Sequence, residues 1–218
     1  MFQHARFLLP VLGASAPNFI LAAMFLVTWI DPYRLGEKMV AYLMLVMMLE
    51  FIVVHSSAFM GNVAFAGASR ANKIKSMLGL GAFYTLFVSG FALAFKTWWP
   101  IASFWFLTFN RLAGTIFRVA PSGQERNHMQ ASWAVGVLFY IMFVMITTIL
   151  PVPKFGITSA VRASQDLPGS GEWISHPEKV IAFGFLYFLF TGISELFNHR
   201  WLPMTKTRRE RVSVKKAA

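Results

Sequence analysis

Residues 39–66 read MVAYLMLVMMLEFIVVHSSAFMGNVAFA, an apolar stretch interrupted by one acidic residue, Glu50, and one histidine, His55. The hydrocarbon core of a bilayer is about 30 Å thick, and an α-helix rises about 1.5 Å per residue, so about 20 apolar residues can cross it. This stretch exceeds that length. It predicts a transmembrane helix that carries two ionisable side chains into the membrane.

The composition of the whole chain points the same way. Of its 218 residues, 56% are hydrophobic and only 13% are charged, and the mean hydropathy is +0.56. Soluble domains are about 45–50% apolar and about 25% charged, so this chain would expose too much apolar surface in water. The absence of cysteine excludes disulfides, iron–sulfur clusters and covalently attached haem. We therefore expect an all-α, multi-pass membrane protein.

Five further apolar runs accompany the opening stretch, and together they predict a single six-helix transmembrane domain over residues 1–200. The six spans are placed at 7–30, 39–66, 77–96, 98–118, 130–151 and 179–198. Only the sequence KTWWP separates the third span from the fourth, so a re-entrant fourth segment remains open as an alternative. In the first span we expect kinks at Pro10 and Pro17, with Asn18 hydrogen-bonding the backbone carbonyls that they free.

Basic residues predict the orientation of these spans. With both termini in the cytoplasm, thirteen lysines and arginines fall inside and six fall outside, which is the asymmetry of the positive-inside rule. We therefore expect N-in and C-in topology in a cell membrane, with a bacterial inner membrane favoured. The tail 201–218 is predicted to bind anionic lipid. It has no aromatic residues interleaved with its charges, so nucleic acid is not a predicted partner.

The connection over residues 152–178 predicts an ordered external loop. It is rich in proline and glycine, and it contains a candidate short helix from Thr158 to Asp166. Thr158 is a suitable N-cap for this helix and Pro168 a suitable stop.

Ionisable residues at membrane depth are costly, and they usually face other helices or a cavity. Counting along the spans places Glu50 and Arg111 at one depth, about 17–20 Å below the outer end, and His55 and Glu195 at another, about 24 Å below it. The sequence therefore predicts two polar layers, an ion pair of Glu50 with Arg111 and a contact of His55 with Glu195. Helical geometry adds Ser57 to the face of Glu50, and Asn62 to that of His55.

Three functional interpretations follow from these charges. The favoured hypothesis is a small transporter or an ion- or proton-conducting protein, whose pathway contains Glu50, His55, Ser57, Asn62, Arg111 and Glu195. The alternative is a structural subunit of a membrane complex, or a homo-oligomer, in which buried charges only fix helix packing. A further alternative is a redox subunit whose b-type haem is held by two histidines drawn from His55, His128 and His199.

Enzymatic templates are absent from the sequence. No HExxH, no G-x-S-x-G elbow and no phosphate-binding glycine loop occurs, so no catalytic or metal-binding residue is assigned and an enzyme is not favoured. No cofactor is predicted either, because the histidines have no evident partner on a facing helix.

Overall fold

The computed structural model describes residues 2–117, 123–199 and 201, with side chains for all of these except residues 2–12, 14, 114–117 and 123–125. This part of the chain is helical and contains no strand. Its helices are α1 (Phe2–Ile30), α2 (Met39–Phe65), α3 (Arg70–Ala94), α4 (Trp99–Phe117), α5 (Gly123–Ile149), α6 (Ser159–Ser164), α7 (Glu172–Ser175) and α8 (Pro177–Leu196). Each of the six predicted apolar runs overlaps one long helix.

Four helices are long and apolar enough to cross a membrane, namely α2, α3, α8 and the Arg126–Ile149 part of α5. The chain is therefore a helical membrane protein. In α1, the apolar segment among the residues described in full is shorter, Ser15–Ile30. Helix α4 has described side chains only over residues 99–113. By length and apolarity the described residues thus give four candidate spans, where the sequence predicts six.

Helix α2 is the centre of the bundle. It packs against α1, α5 and α8 on one side and against α3 and α4 on the other. Two hydrophobic cores result. The larger joins α1, α8, α5 and the N-terminal half of α2, and the smaller joins α3 and α4 to the C-terminal half of α2. Side chains on different faces of α2 therefore meet different helices.

Local interactions fix the connection between α2 and α3. The Ser69 hydroxyl accepts a hydrogen bond from the backbone N–H of Asn72, which is an N-cap for α3. Lys73 in the first turn of α3 donates its Nζ to the carbonyl of Ala64 at 2.8 Å. That carbonyl belongs to the last turn of α2, where helix carbonyls have no partner within the helix. The two helices therefore turn back on each other through a short, tightly bonded link.

Helices α1 and α8 pack closely along their length. The approach depends on two glycines of α8: Gly184 lies against the Phe25 ring, and Gly192 lies against Phe19 and Asn18. The α1 backbone is helical through both Pro10 and Pro17. The sequence predicted that Asn18 would bond to the backbone carbonyls freed by the prolines. Its side chain instead donates a hydrogen bond to α8, as described below.

The segment between α5 and α8 is ordered, as predicted, and covers one end of the bundle. Thr158 caps α6 by accepting a hydrogen bond from the N–H of Val161, which confirms the predicted short helix and its cap. The buried Gln165 side chain donates to the carbonyl of Glu37 at 2.7 Å and accepts from the N–H of Ala41 at 3.3 Å. These bonds fasten the segment to the start of α2.

Candidate functional site

A carboxyl group lies in the middle of the central helix. Glu50 is eleven residues after the first residue of α2, about 16 Å along the helix. The hydroxyl of Tyr187, from α8, donates to Glu50 Oε1 at 2.7 Å. Tyr140, from α5, lies beside Tyr187 with ring centroids 5.7 Å apart, and it donates to the carbonyl of Met47 at 3.0 Å. We call Glu50, Tyr140 and Tyr187 the polar centre.

A glycine makes room for the polar centre. Gly136 of α5 faces both Val54 of α2 and the Tyr187 hydroxyl, and a methyl group at Gly136 would lie 3.6 Å from that hydroxyl oxygen. The three helices therefore approach one another closely at this level. The rings of Tyr140 and Tyr187 pack edge to face between these helices.

Arg111 of α4 reaches α2 one to two turns further along than Glu50. Its guanidinium donates to the hydroxyls of Ser56, at 3.4 Å, and Ser57, and it lies 3.6 Å from the sulfur of Met60. Ser57, which the sequence places on the face of Glu50, thus accepts a hydrogen bond from Arg111. The sequence predicted Glu50 as the partner of Arg111 and did not predict these bonds to Ser56 and Ser57.

Glu195 lies on the α1 side of α8. Its Oε2 accepts a hydrogen bond from Asn18 Nδ2 at 2.8 Å. His55 points to the other side of α2, where its Nδ1 lies 3.0 Å from the Tyr84 hydroxyl of α3. The sequence predicted a contact of His55 with Glu195, but the structure gives the two side chains different partners, Tyr84 on α3 and Asn18 on α1.

Three polar side chains follow one side of α8, namely Tyr187, Thr191 and Glu195. We call them the polar stripe. Thr191 follows Tyr187 by four residues and precedes Glu195 by four, so the three side chains follow one side of the helix. The Thr191 Oγ1 is buried and has no hydrogen-bond partner in the described structure. A buried hydroxyl without a hydrogen-bond partner is unusual in proteins. It either lowers the stability of the fold or marks a place for an ordered water.

Two histidines lie side by side where α5 begins and α8 ends. The rings of His128 (α5) and His199 have centroids 5.4 Å apart. His199 is buried, and its two ring nitrogens lie 2.8 Å from the Ser194 hydroxyl and 2.9 Å from the Ser132 hydroxyl. Burial, together with the neighbouring His128, lowers the pKa of His199 to about 4. Its imidazole is therefore neutral at physiological pH.

The described histidines do not form a facing pair suited to haem. Both nitrogens of His199 are engaged by serines, and His55 lies on the other side of α2 with its Nδ1 bonded to Tyr84. Within the described residues no group of three histidine, aspartate or glutamate side chains is arranged to hold a metal ion. Asn62 is exposed near the end of α2 and lies outside the polar stripe.

Sequence reasoning did not identify Tyr140 and Tyr187, and it gave Asn18 a different partner from the one it has. One signal was available, because Tyr187 and Glu195 are two helical turns apart on the same side of one apolar helix. No family model, no curated protein and no solved structure matches the chain. What the protein does must therefore be argued from its own residues.

Proposed function

We propose that the protein moves protons across a bacterial inner membrane, alone or coupled to transport, and that Glu50 is its proton-binding group. The carrying observation is the bond from the Tyr187 hydroxyl to the Glu50 carboxyl in the middle of α2, with a second carboxyl, Glu195, two turns beyond Tyr187 on α8. Intramembrane carboxyl groups in such positions mark proton and ion pathways.

The chemistry of the polar centre supports this function. A neutral, hydrogen-bonded carboxylic acid is cheap to bury, whereas an isolated carboxylate is expensive in a low-dielectric interior. Two carboxyl groups that interact electrostatically also disfavour the state in which both are charged. A single proton is therefore naturally exchanged between Glu50 and Glu195, with the hydroxyls of Tyr187 and Thr191 on the connecting side of α8.

The inner exit of this pathway is proposed at His128 and His199. His199 lies three residues beyond the end of α8, in the turn that follows Glu195, and the His128 imidazole is more exposed than the His199 imidazole beside it. A pair of imidazoles can pass protons between a buried carboxyl and the cytoplasm. The proposed order is Glu50, Glu195 and then the two histidines.

The proposed topology is six spans with both termini in the cytoplasm. Helix α1 has 29 residues and α4 has 19, which correspond to lengths of about 43 and 28 Å. Each packs against an established candidate span, α1 against α8 and α4 against α3. The tail 201–218, of which the structure describes only Trp201, is proposed to bind anionic lipid.

Topology reporters test the span count directly. We expect a fusion at Ser122 to report a cytoplasmic location and one at Ser170 an external location, because α4 and α5 would each cross once. Paired alkaline phosphatase and fluorescent-protein fusions at both sites give opposite signals for the two compartments. An external signal at Ser122 would show that α4 does not cross, and the six-span proposal would then be abandoned.

Proton movement is tested with purified protein in liposomes that contain a pH-sensitive dye. A potassium gradient with valinomycin sets an inside-negative potential, and we expect proton entry that scales with the amount of protein. Rates equal to those of protein-free liposomes would reject proton conduction. The structural-subunit interpretation would then be preferred, because the bonds from Arg111 to Ser56 and Ser57 already show one interior charge holding two helices together.

A further inference from the structure

His55 lies on a lateral face of the bundle formed by α2 and α3. It is exposed, although it is the seventeenth of the 27 residues of α2, about 24 Å along that helix. The aromatic rings around it are those of Phe51, Phe59 and Tyr84, with centroids 5.7, 5.3 and 5.9 Å from its own. We call His55 and these three rings the aromatic frame.

The hydrogen bond to Tyr84 determines which nitrogen of His55 carries the hydrogen. Tyr84 is buried, and the partner of its hydroxyl is His55 Nδ1 at 3.0 Å. A buried phenol hydrogen without an acceptor is costly, so the hydroxyl donates and Nδ1 accepts. In a neutral imidazole the other nitrogen, Nε2, then carries the hydrogen.

The Nε2–H group has no hydrogen-bond acceptor in the described structure. The surface around it is apolar, because Phe51, Phe59, Phe83 and Phe87 are each about half exposed. A donor that faces hydrocarbon costs free energy unless an acceptor reaches it. Ester carbonyls of phospholipids lie at the interface, whereas this donor lies well inside the length of α2. The face therefore suits an occupant that brings its own acceptor into the hydrocarbon.

We propose that the aromatic frame binds the head group of a quinone-class lipid. A quinone carbonyl accepts from His55 Nε2–H, and its flat ring packs against Phe59 beside the parallel rings of Phe51 and His55, whose planes differ by 7°. The isoprenoid tail lies along α3 next to Phe83 and Phe87, and it needs no enclosed pocket because the ligand enters laterally from the bilayer. The proposal concerns binding alone, and it is independent of proton movement through Glu50.

Selective labelling gives a direct test, since the chain contains only five histidines. The wild-type protein is labelled with ¹⁵N-histidine, placed in lipid nanodiscs and titrated with decylubiquinone while the imidazole resonances are recorded. We expect saturable shifts confined to the His55 signal, which is identified by its loss in His55→Gln. His128 and His199, at the inner end, serve as internal controls.

Variants and a second ligand separate the possible occupants. We expect His55→Leu, which removes the side-chain N–H donor, to weaken decylubiquinone binding about tenfold, the loss of one good hydrogen bond. Phe106→Leu, at an exposed aromatic of α4, should leave binding unchanged. An unmoved His55 signal would overturn the proposal. An equal shift with methyl decanoate would overturn it too, by showing that any carbonyl suffices. So would a His55 shift that depends on protein concentration without quinone, because a second copy would then be the occupant.

Discussion

Glu50→Gln is expected to reduce proton flux in liposomes to the rate of protein-free vesicles. Glutamine keeps the size of the side chain, and its carbonyl oxygen still accepts the hydrogen bond from the Tyr187 hydroxyl, so the helices retain their contact. What is lost is the group that binds and releases a proton. The measurement is the initial rate of dye response under an imposed potential, at matched protein content.

A matched control is available at the end of the bundle that carries α7. Glu172 is an exposed carboxyl bonded to Lys179 at 2.6 Å, and it lies outside the spans. Glu172→Gln removes one acidic group, as Glu50→Gln does, yet it should leave the flux unchanged. Equal losses in the two variants would mean that net charge controls the flux, and unchanged flux in Glu50→Gln would remove Glu50 from the pathway.

The variant Thr191→Val tests whether the Thr191 hydroxyl takes part in proton transfer or only fills space between helices. Thr191→Val preserves the shape of the side chain and removes an oxygen that has no partner in the described structure. If the residue only packs, the variant should be as stable as the wild type or more so, with normal flux. Because we place Thr191 between Tyr187 and Glu195, we expect reduced flux with unchanged or increased stability.

The positions of the long helices could be predicted because membrane burial imposes a length on every apolar run. The stretch 39–66 predicts α2, observed as Met39–Phe65, and the stretch 98–118 predicts α4, observed as Trp99–Phe117. The number of spans is a different question. Among the residues described in full, four helices are long and apolar enough to cross a membrane.

The contacts inside the bundle could not be predicted from depth alone. Counting residues gives the height of Glu50, His55, Arg111 and Glu195 along their helices, but it does not give the direction in which each helix faces its neighbours. From the sequence alone, these residues can be paired only by depth and by the sign of their charge. In the structure the nearest bonds come from neutral groups, the hydroxyls of Tyr187, Ser57 and Tyr84, which sequence patterns do not distinguish from other polar residues.

Gly184→Ala is expected to destabilise the bundle by about 1–3 kcal/mol, the usual cost of forcing an extra methyl group into a filled core. The new Cβ would overlap three atoms of the Phe25 ring, which is fully buried between α1 and α8 and packs on Phe188 with centroids 5.7 Å apart. The ring cannot turn away without opening the α1–α8 contact. The measurement is the free energy of unfolding in mixed micelles titrated with dodecyl sulfate.

Gly90→Ala in α3 is the matched control for this substitution. Nothing lies within 4 Å of a Cβ at Gly90, so the variant gains helix propensity, at most about 1 kcal/mol, and meets no obstacle. Adding Phe25→Leu to Gly184→Ala should recover part of the loss, because the smaller side chain leaves room for the methyl group. Equal stability of Gly184→Ala and wild type would show that α1 does not pack on α8 at this level. The bond from Asn18 to Glu195, which lies further along the same helix pair, would then lose its structural basis.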